Sequence, residues 1–360
     1  MIPKLNAACL VGVLSLLALP PAVRSQQNTP AAFPKPAASK PDEPLAESLS
    51  LARGAEYLDR AAMSWARDKG CASCHTSYPF LMARPMLGDA KAPALLWMRK
   101  FLEDRVAGWD AGGKGAGLPS EEDEAVTEVV ATAATLAFHD AQAGGKLHPR
   151  TRQALDRMWT IQRKDGSWDW NKHLLPPQEL DEYFGAVYAA LGVGKAPEGY
   201  AKSEAAREGV ARLKDYLKKN PPPNLHHRTW LLWASLKLDG LMIPREREQT
   251  IKDLLALQRK DGGWNLPSLG DWKRLDGTPN DKEAPSDGYA TGLVVYVLRQ
   301  AGVDAKEESI RRGVGWLKSY QRASGRSFSR SLNADRAHYV TNAGTAFALM
   351  ALRACGVEDR

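Results

Sequence analysis

The feature that most constrains this chain is a ten-residue pattern that returns in register. Trp159-Thr-Ile-Gln-Arg-Lys-Asp-Gly-Ser-Trp168 and Leu255-Ala-Leu-Gln-Arg-Lys-Asp-Gly-Gly-Trp264 share a glutamine, a glycine four residues on and a tryptophan two further. Ser319-Tyr-Gln-Arg-Ala-Ser-Gly-Arg-Ser-Phe328 is a worn copy, and Ser64-Trp-Ala-Arg-Asp-Lys-Gly-Cys71 keeps the helix and its glycine but departs from the pattern after them. Gly70, Gly166 and Gly262 are spaced by 96 residues, two units of 48. A fixed period of this length means repeated supersecondary units that bury their cores against one another. Less marked hairpins fill the gaps, around Leu95 to Phe138 and Arg207 to Leu238, so the expected count is six helix pairs.

The turn chemistry has a physical basis. A glycine just past a helix takes the left-handed conformation at little steric cost. The glutamine and the tryptophan beside it can bridge neighbouring hairpins by hydrogen bond and stacking. In each unit a charged amphipathic helix precedes one that is apolar on nearly every face, as in Tyr289-Ala-Thr-Gly-Leu-Val-Val-Tyr-Val-Leu298. The apolar helices read as an inner ring and the charged ones as its outside. Six hairpins whose last packs on the first make a closed ring. The predicted class is therefore all-α, and the helical part spans 48–360.

Gln162-x-x-x-Gly166-x-Trp168 and Gln258-x-x-x-Gly262-x-Trp264 resemble the repeat motif of squalene and hopene cyclases. The resemblance implies the α/α toroid those enzymes share with protein prenyltransferase β subunits, over roughly residues 50 to 356. It does not extend to their chemistry. The protonating Asp-x-Asp-Asp of the cyclases occurs nowhere in the chain, and no cysteine accompanies Asp287 and His338 as a prenyltransferase zinc site would need. Such rings host several chemistries, so the fold alone assigns none.

Upstream of the ring, residues 1–25 read as an export signal. Lys4 gives a positive start, Ala7 to Leu19 is apolar, and Val23 and Ser25 suit a small-residue cleavage site. Cleavage would remove Cys9, Lys4 and Arg24, lowering the net charge from +7 to +5. About a dozen apolar residues are too few to span a bilayer. Residues 26–47, with Pro30, Pro34, Pro36, Pro41 and Pro44, read as an extended tether. A periplasmic or secreted location is expected, with no membrane span after cleavage. The mild, interleaved charge gives no nucleic-acid footprint.

Export gives meaning to Gly70-Cys71-Ala72-Ser73-Cys74-His75, which contains Cys-x-x-Cys-His. Two thiols at this spacing can each add to a haem vinyl group while the adjacent histidine faces the iron. The segment also resembles the attachment sequence of many small c-type cytochromes. Covalent haem c on Cys71 and Cys74, with His75 as axial ligand, is the expectation. A redox disulfide lacks the surrounding βαβ pattern, and a zinc site lacks a second Cys/His pair. Met82 or Met86 is the candidate second axial ligand, and Arg84 a candidate propionate contact. Cys355 reads as a packing residue.

In a repeat ring the starts of the inner helices share one mouth. There the sequence places Glu124 and Thr127, Asp181, Glu182 and Tyr183, His226, His227 and Arg228, Asp287 and Tyr289, and Arg336, His338 and Tyr339. Glu182, His226, His227, Asp287 and His338 are the candidate catalytic residues, although polar residues at helix starts are often only caps. Three functions stay open. The first is a redox or electron-transfer haem protein with a redox partner or small apolar ligand at the mouth. The second is a non-redox isomerase or lyase acting on an isoprenoid or polysaccharide. The third is a binding or assembly module with structural haem.

Overall fold

A computed structural model describes residues 33–109, 122–173 and 175–359. The expected signal segment and the first part of the tether lie outside them. Among the described residues there are twelve α-helices and no strand, only three isolated bridges. The outer helices are α1 (Leu51–Lys69), α3 (Pro93–Gly108), α5 (Pro149–Thr160), α7 (Glu204–Lys219), α9 (Pro244–Ala256) and α11 (Glu308–Tyr320). The inner ones are α2 (Ser77–Ala83), α4 (Glu122–Gln142), α6 (Glu182–Lys195), α8 (Leu225–Ser235), α10 (Gly288–Gln300) and α12 (Val340–Ala354). Each inner helix packs on the next, and α12 packs back on α2, which closes the ring. The described residues form an all-α toroid of six hairpins.

Local sequence explains the boundaries. Proline occupies the first turn of α3, α5 and α9, where its missing N–H costs nothing. Ser50, Asp181, Asn224 and Asp287 cap α1, α6, α8 and α10 by accepting a backbone N–H. Close approach between inner helices depends on small residues. A Cβ on Gly192 would lie 2.3 Å from Ala134, and one on Gly292 would lie 2.4 Å from the Ala348 nitrogen.

The repeated turns join each hairpin to the next. The Gln162 amide donates to the Gly166 carbonyl at 3.0 Å and to Gly209 on α7 at 3.1 Å. Gln258 repeats the arrangement with Gly262 at 2.8 Å and Ser309 on α11 at 2.7 Å. The worn copy closes the circle, since Gln321 donates to Gly325 and to Ser50, the cap of α1. Trp168 and Trp264 are fully buried, and each indole N–H returns to the preceding outer helix at Met158 and Leu254.

Two findings go beyond the sequence reading. Residues 33–47 are extended but not free. Ala46 and Pro44 pair with Gln321 and Ala323, Arg322 and Arg326 donate to the Glu43 and Ala37 carbonyls, and Arg326 also pairs with Glu43. The tether is thus a strap across the junction of the first and last hairpins. Second, the middle of the ring is filled with side chains. Trp230 on α8 meets Phe347 on α12 at 5.7 Å, and Tyr188 on α6 donates to the Met82 sulfur on α2. Neither pair joins ring neighbours, so both contacts cross the centre. His226, Phe184 and Tyr289 pack around them.

Candidate functional site

The sequence motif occupies the turn between α1 and α2. α1 stops at Gly70, whose φ of 67° is the left-handed helix end. The Gly70 carbonyl accepts from Arg105 of α3, which is itself ion-paired with Glu128 of α4. The turn is therefore braced by the next hairpin immediately before its first cysteine. Cys71 and Cys74 are both free thiols, the second buried. Burial pushes both thiols up from their ordinary value, for Cys74 with further help from Glu179. A redox-active Cys-x-x-Cys pair needs the opposite shift.

Glu179 was not legible in the sequence. It reaches Cys74 from the loop before α6, where its backbone N–H closes a turn onto Leu175 and Trp170 pins the Gln178 carbonyl. Burial raises its carboxyl from 4.5 to about 7. A carboxyl with a raised folded pKa contributes stability that is complete below pH 4.5 and lost as pH climbs through 7. We expect haem-free protein to lose about 3 kcal/mol from this group across that interval. Glu179→Gln should flatten that part of the pH–stability curve, measured by denaturant unfolding. An unchanged slope would show that Glu179 ionises freely.

His75 is buried and kept neutral, its pKa lowered to about 3 by desolvation. Its Nδ1 lies 2.9 Å from the Thr76 hydroxyl, which accepts from the Asn342 amide, whose oxygen in turn accepts from Tyr57. In the tautomer with Nδ1–H donating to Thr76, the lone pair is on Nε2. That is the form a metal-ligating imidazole takes, with its other nitrogen anchored. The ring is held edge-on to Trp65 at 4.7 Å and stacked on Tyr339 at 5.3 Å.

Two cavities flank this stack. One of about 210 Å³ is lined by His75, Pro176, Gln178, Asn333, Arg336 and Tyr339. The other, about 280 Å³, lies under the strap and includes Lys35, Tyr57, Trp65, His338, Tyr339 and Asn342. Two free thiols and a neutral, anchored imidazole in one turn are a donor set that fits haem c.

The other predicted residues divide between this mouth and the rest of the ring. His338 comes to the mouth, its Nδ1 accepting from the Ser331 N–H and its Nε2 3.4 Å from Asp335. His226 does not, being at the ring centre between the Tyr289 hydroxyl at 3.0 Å and the Trp230 indole at 3.2 Å. His227 bonds Asn224 and faces Asp181 at 3.1 Å. Asp287 is a cap, not an open acid. Its oxygens accept from the Ala290 and Leu266 N–H groups and from Ser329, and burial lifts its pKa to about 6. Glu182 pairs with Lys172 at 2.7 Å. Arg84 is held by Asp59 at 2.8 Å and by the Gly88 carbonyl, because a buried guanidinium needs a charged partner. The Met82 sulfur takes the Tyr188 hydroxyl, and half-buried Met86 presents its carbonyl to Arg353; neither lines the two cavities.

No protein-family model matches the chain. It is 27% identical over 262 aligned residues to a protein of Sinorhizobium fredii (strain NBRC 101917 / NGR234) described as "Probable squalene--hopene cyclase", covering 64% of this chain and 37% of that protein. The chain thus spans little more than a third of that relative. Among solved structures it is similar to ent-copalyl diphosphate synthase from Streptomyces platensis, with TM-score 0.48 and 17% identity over 78% of this chain and 50% of that one. Among the described residues, no helix is long and apolar enough to cross a membrane.

Proposed function

We propose that this protein is an exported c-type haem protein built on a cyclase-like ring, with a redox or electron-transfer role and a partner site at the ring mouth. One observation carries the reading: Cys71, Cys74 and His75 share a braced turn in which the thiols are free and the imidazole is neutral. Haem bonded there supplies a one-electron iron couple. The chain's part is to hold and shield it. Cys71 and Cys74 provide the two points of covalent attachment, and Thr76, through Asn342 and Tyr57, fixes the plane and tautomer of His75. Trp65 and Tyr339 keep water from the imidazole. Attachment of haem c takes place outside the cytoplasm, in keeping with the export signal read at residues 1–25.

Cyclisation, suggested by the relative's description, is less well supported. A cyclase needs an open chamber, and here Trp230, Phe347, Tyr188 and Met82 meet across the ring centre. The test is expression with cytochrome c maturation machinery and a denaturing gel stained for haem. The parent should stain, and Cys71→Ser/Cys74→Ser should not. A parent that runs unstained would refute the proposal.

A further inference from the structure

At the end of the ring opposite His75, where the inner helices finish, one lysine differs from those on the outside. Lys35 meets Asp68, Lys100 meets Asp104 and Lys172 meets Glu182. Lys195, the last residue of α6, has no such partner. Its side chain is half-buried, and its nitrogen lies over the Phe138 ring at 4.8 Å from the centroid. Among the described residues, neither a carboxylate nor a hydrogen-bonding group reaches that nitrogen.

The packing around it explains the position. Phe138 is buried near the end of α4 and meets Trp233 of α8 edge-on at 5.6 Å. The chain leaving α8 passes tightly against the end of α6, since a Cβ on Gly194 would lie 2.7 Å from the Lys237 carbonyl carbon. That approach brings a second ammonium, on Lys237, close enough to oppose the charge of Lys195. Lys237 also has no carboxylate partner among the described residues. Burial, and then repulsion from Lys237, lower the Lys195 pKa from 10.5 to about 8.

An ammonium cannot attack a carbonyl, because the proton occupies its lone pair. Lysine becomes a nucleophile where desolvation or a neighbouring cation favours the neutral amine, and both act on Lys195. Lys237 has a further consequence, since its charge attracts an anionic group on the reacting molecule. An aromatic ring on one side and an ammonium on another suit a small carbonyl compound that carries a carboxylate.

We propose that Lys195 is a nucleophilic amine that forms an imine with an oxo acid, and that Lys237 holds the carboxylate of that acid. The amine lone pair bonds the carbonyl carbon, the two amine protons leave with the carbonyl oxygen as water, and a C=N bond remains. Nothing is oxidised or reduced in this step. Lys237 is a positioning residue. The site does not depend on haem, so it and the haem reading stand or fall separately.

The test treats the full chain with glyoxylate, reduces any imine to a stable amine with borohydride, and maps the labelled peptides by mass spectrometry. Near neutral pH, Lys195 should be labelled at least about tenfold faster than Lys100 or Lys172. Lys195→Arg should abolish the fast labelling with the circular dichroism spectrum unchanged, since the charge is kept and the nucleophile removed. Lys237→Gln should slow the labelling of Lys195 by glyoxylate more than by acetaldehyde, which has no charge. Labelling of Lys195 in the parent at the rate of Lys100, or fast labelling that survives Lys195→Arg, overturns the proposal. An equal effect of Lys237→Gln on both aldehydes overturns the role of Lys237.

Discussion

Replacing Trp168 or Trp264 by alanine is expected to destabilise the ring by ~3–5 kcal/mol. Both side chains are wholly buried, and each indole N–H bonds a main-chain carbonyl of the preceding helix. The substitution therefore leaves a large cavity and an unpaired carbonyl at once. The loss should propagate, because Trp168 packs at a tilt against Trp159, which fits over Gly209 of the next outer helix. Denaturant unfolding monitored by circular dichroism would measure it. A loss under about 1 kcal/mol at both positions would mean that these tryptophans do not weld hairpin to hairpin.

The second large effect concerns the iron. His75→Ala leaves the two cysteine attachments intact, so the gel stain should persist at parent intensity. The parent visible spectrum should vanish completely, since the axial nitrogen has been removed, and added imidazole should restore most of it. His226→Ala is the control, because His226 is occupied by Tyr289 and Trp230 at the ring centre. A parent-like spectrum in His75→Ala would show that another residue ligates the iron.

Much of the ring was legible because its repeat is written in side chains. Gln162, Gly166 and Trp168 each perform a task that few other residues can, so their spacing survives in the sequence and reports the hairpin junction. Even the worn copy kept Gln321 and Gly325, and these make the contact that closes the circle. The strap was not legible for the opposite reason. Much of its docking uses main-chain atoms, such as the carbonyls of Ala37, Glu43 and Pro44, which any sequence carries.

The site was legible only in part. Cys71, Cys74 and His75 are adjacent in the chain, whereas Trp65, Glu179, Tyr339 and Asn342 come together through ring closure and loop folding. No local period announces Glu179. Periodicity identified α6, α8, α10 and α12 as apolar on nearly every face, but could not say that Trp230 and Phe347 would meet across the middle. The mouth residues divided for a similar reason. Position at a helix start is shared by caps such as Asp287 and by cavity-lining residues such as His338, and only their partners separate the two.

Haem bonded to the first hairpin of the ring would be read by mass spectrometry of protein made with haem-maturation machinery. The expected intact mass is one haem above that of the polypeptide, with the added mass on the peptide containing Cys71 and Cys74. Neither sulfur should then react with an alkylating reagent after denaturation. A mature chain at polypeptide mass, with both cysteines fully alkylated, would contradict the attachment.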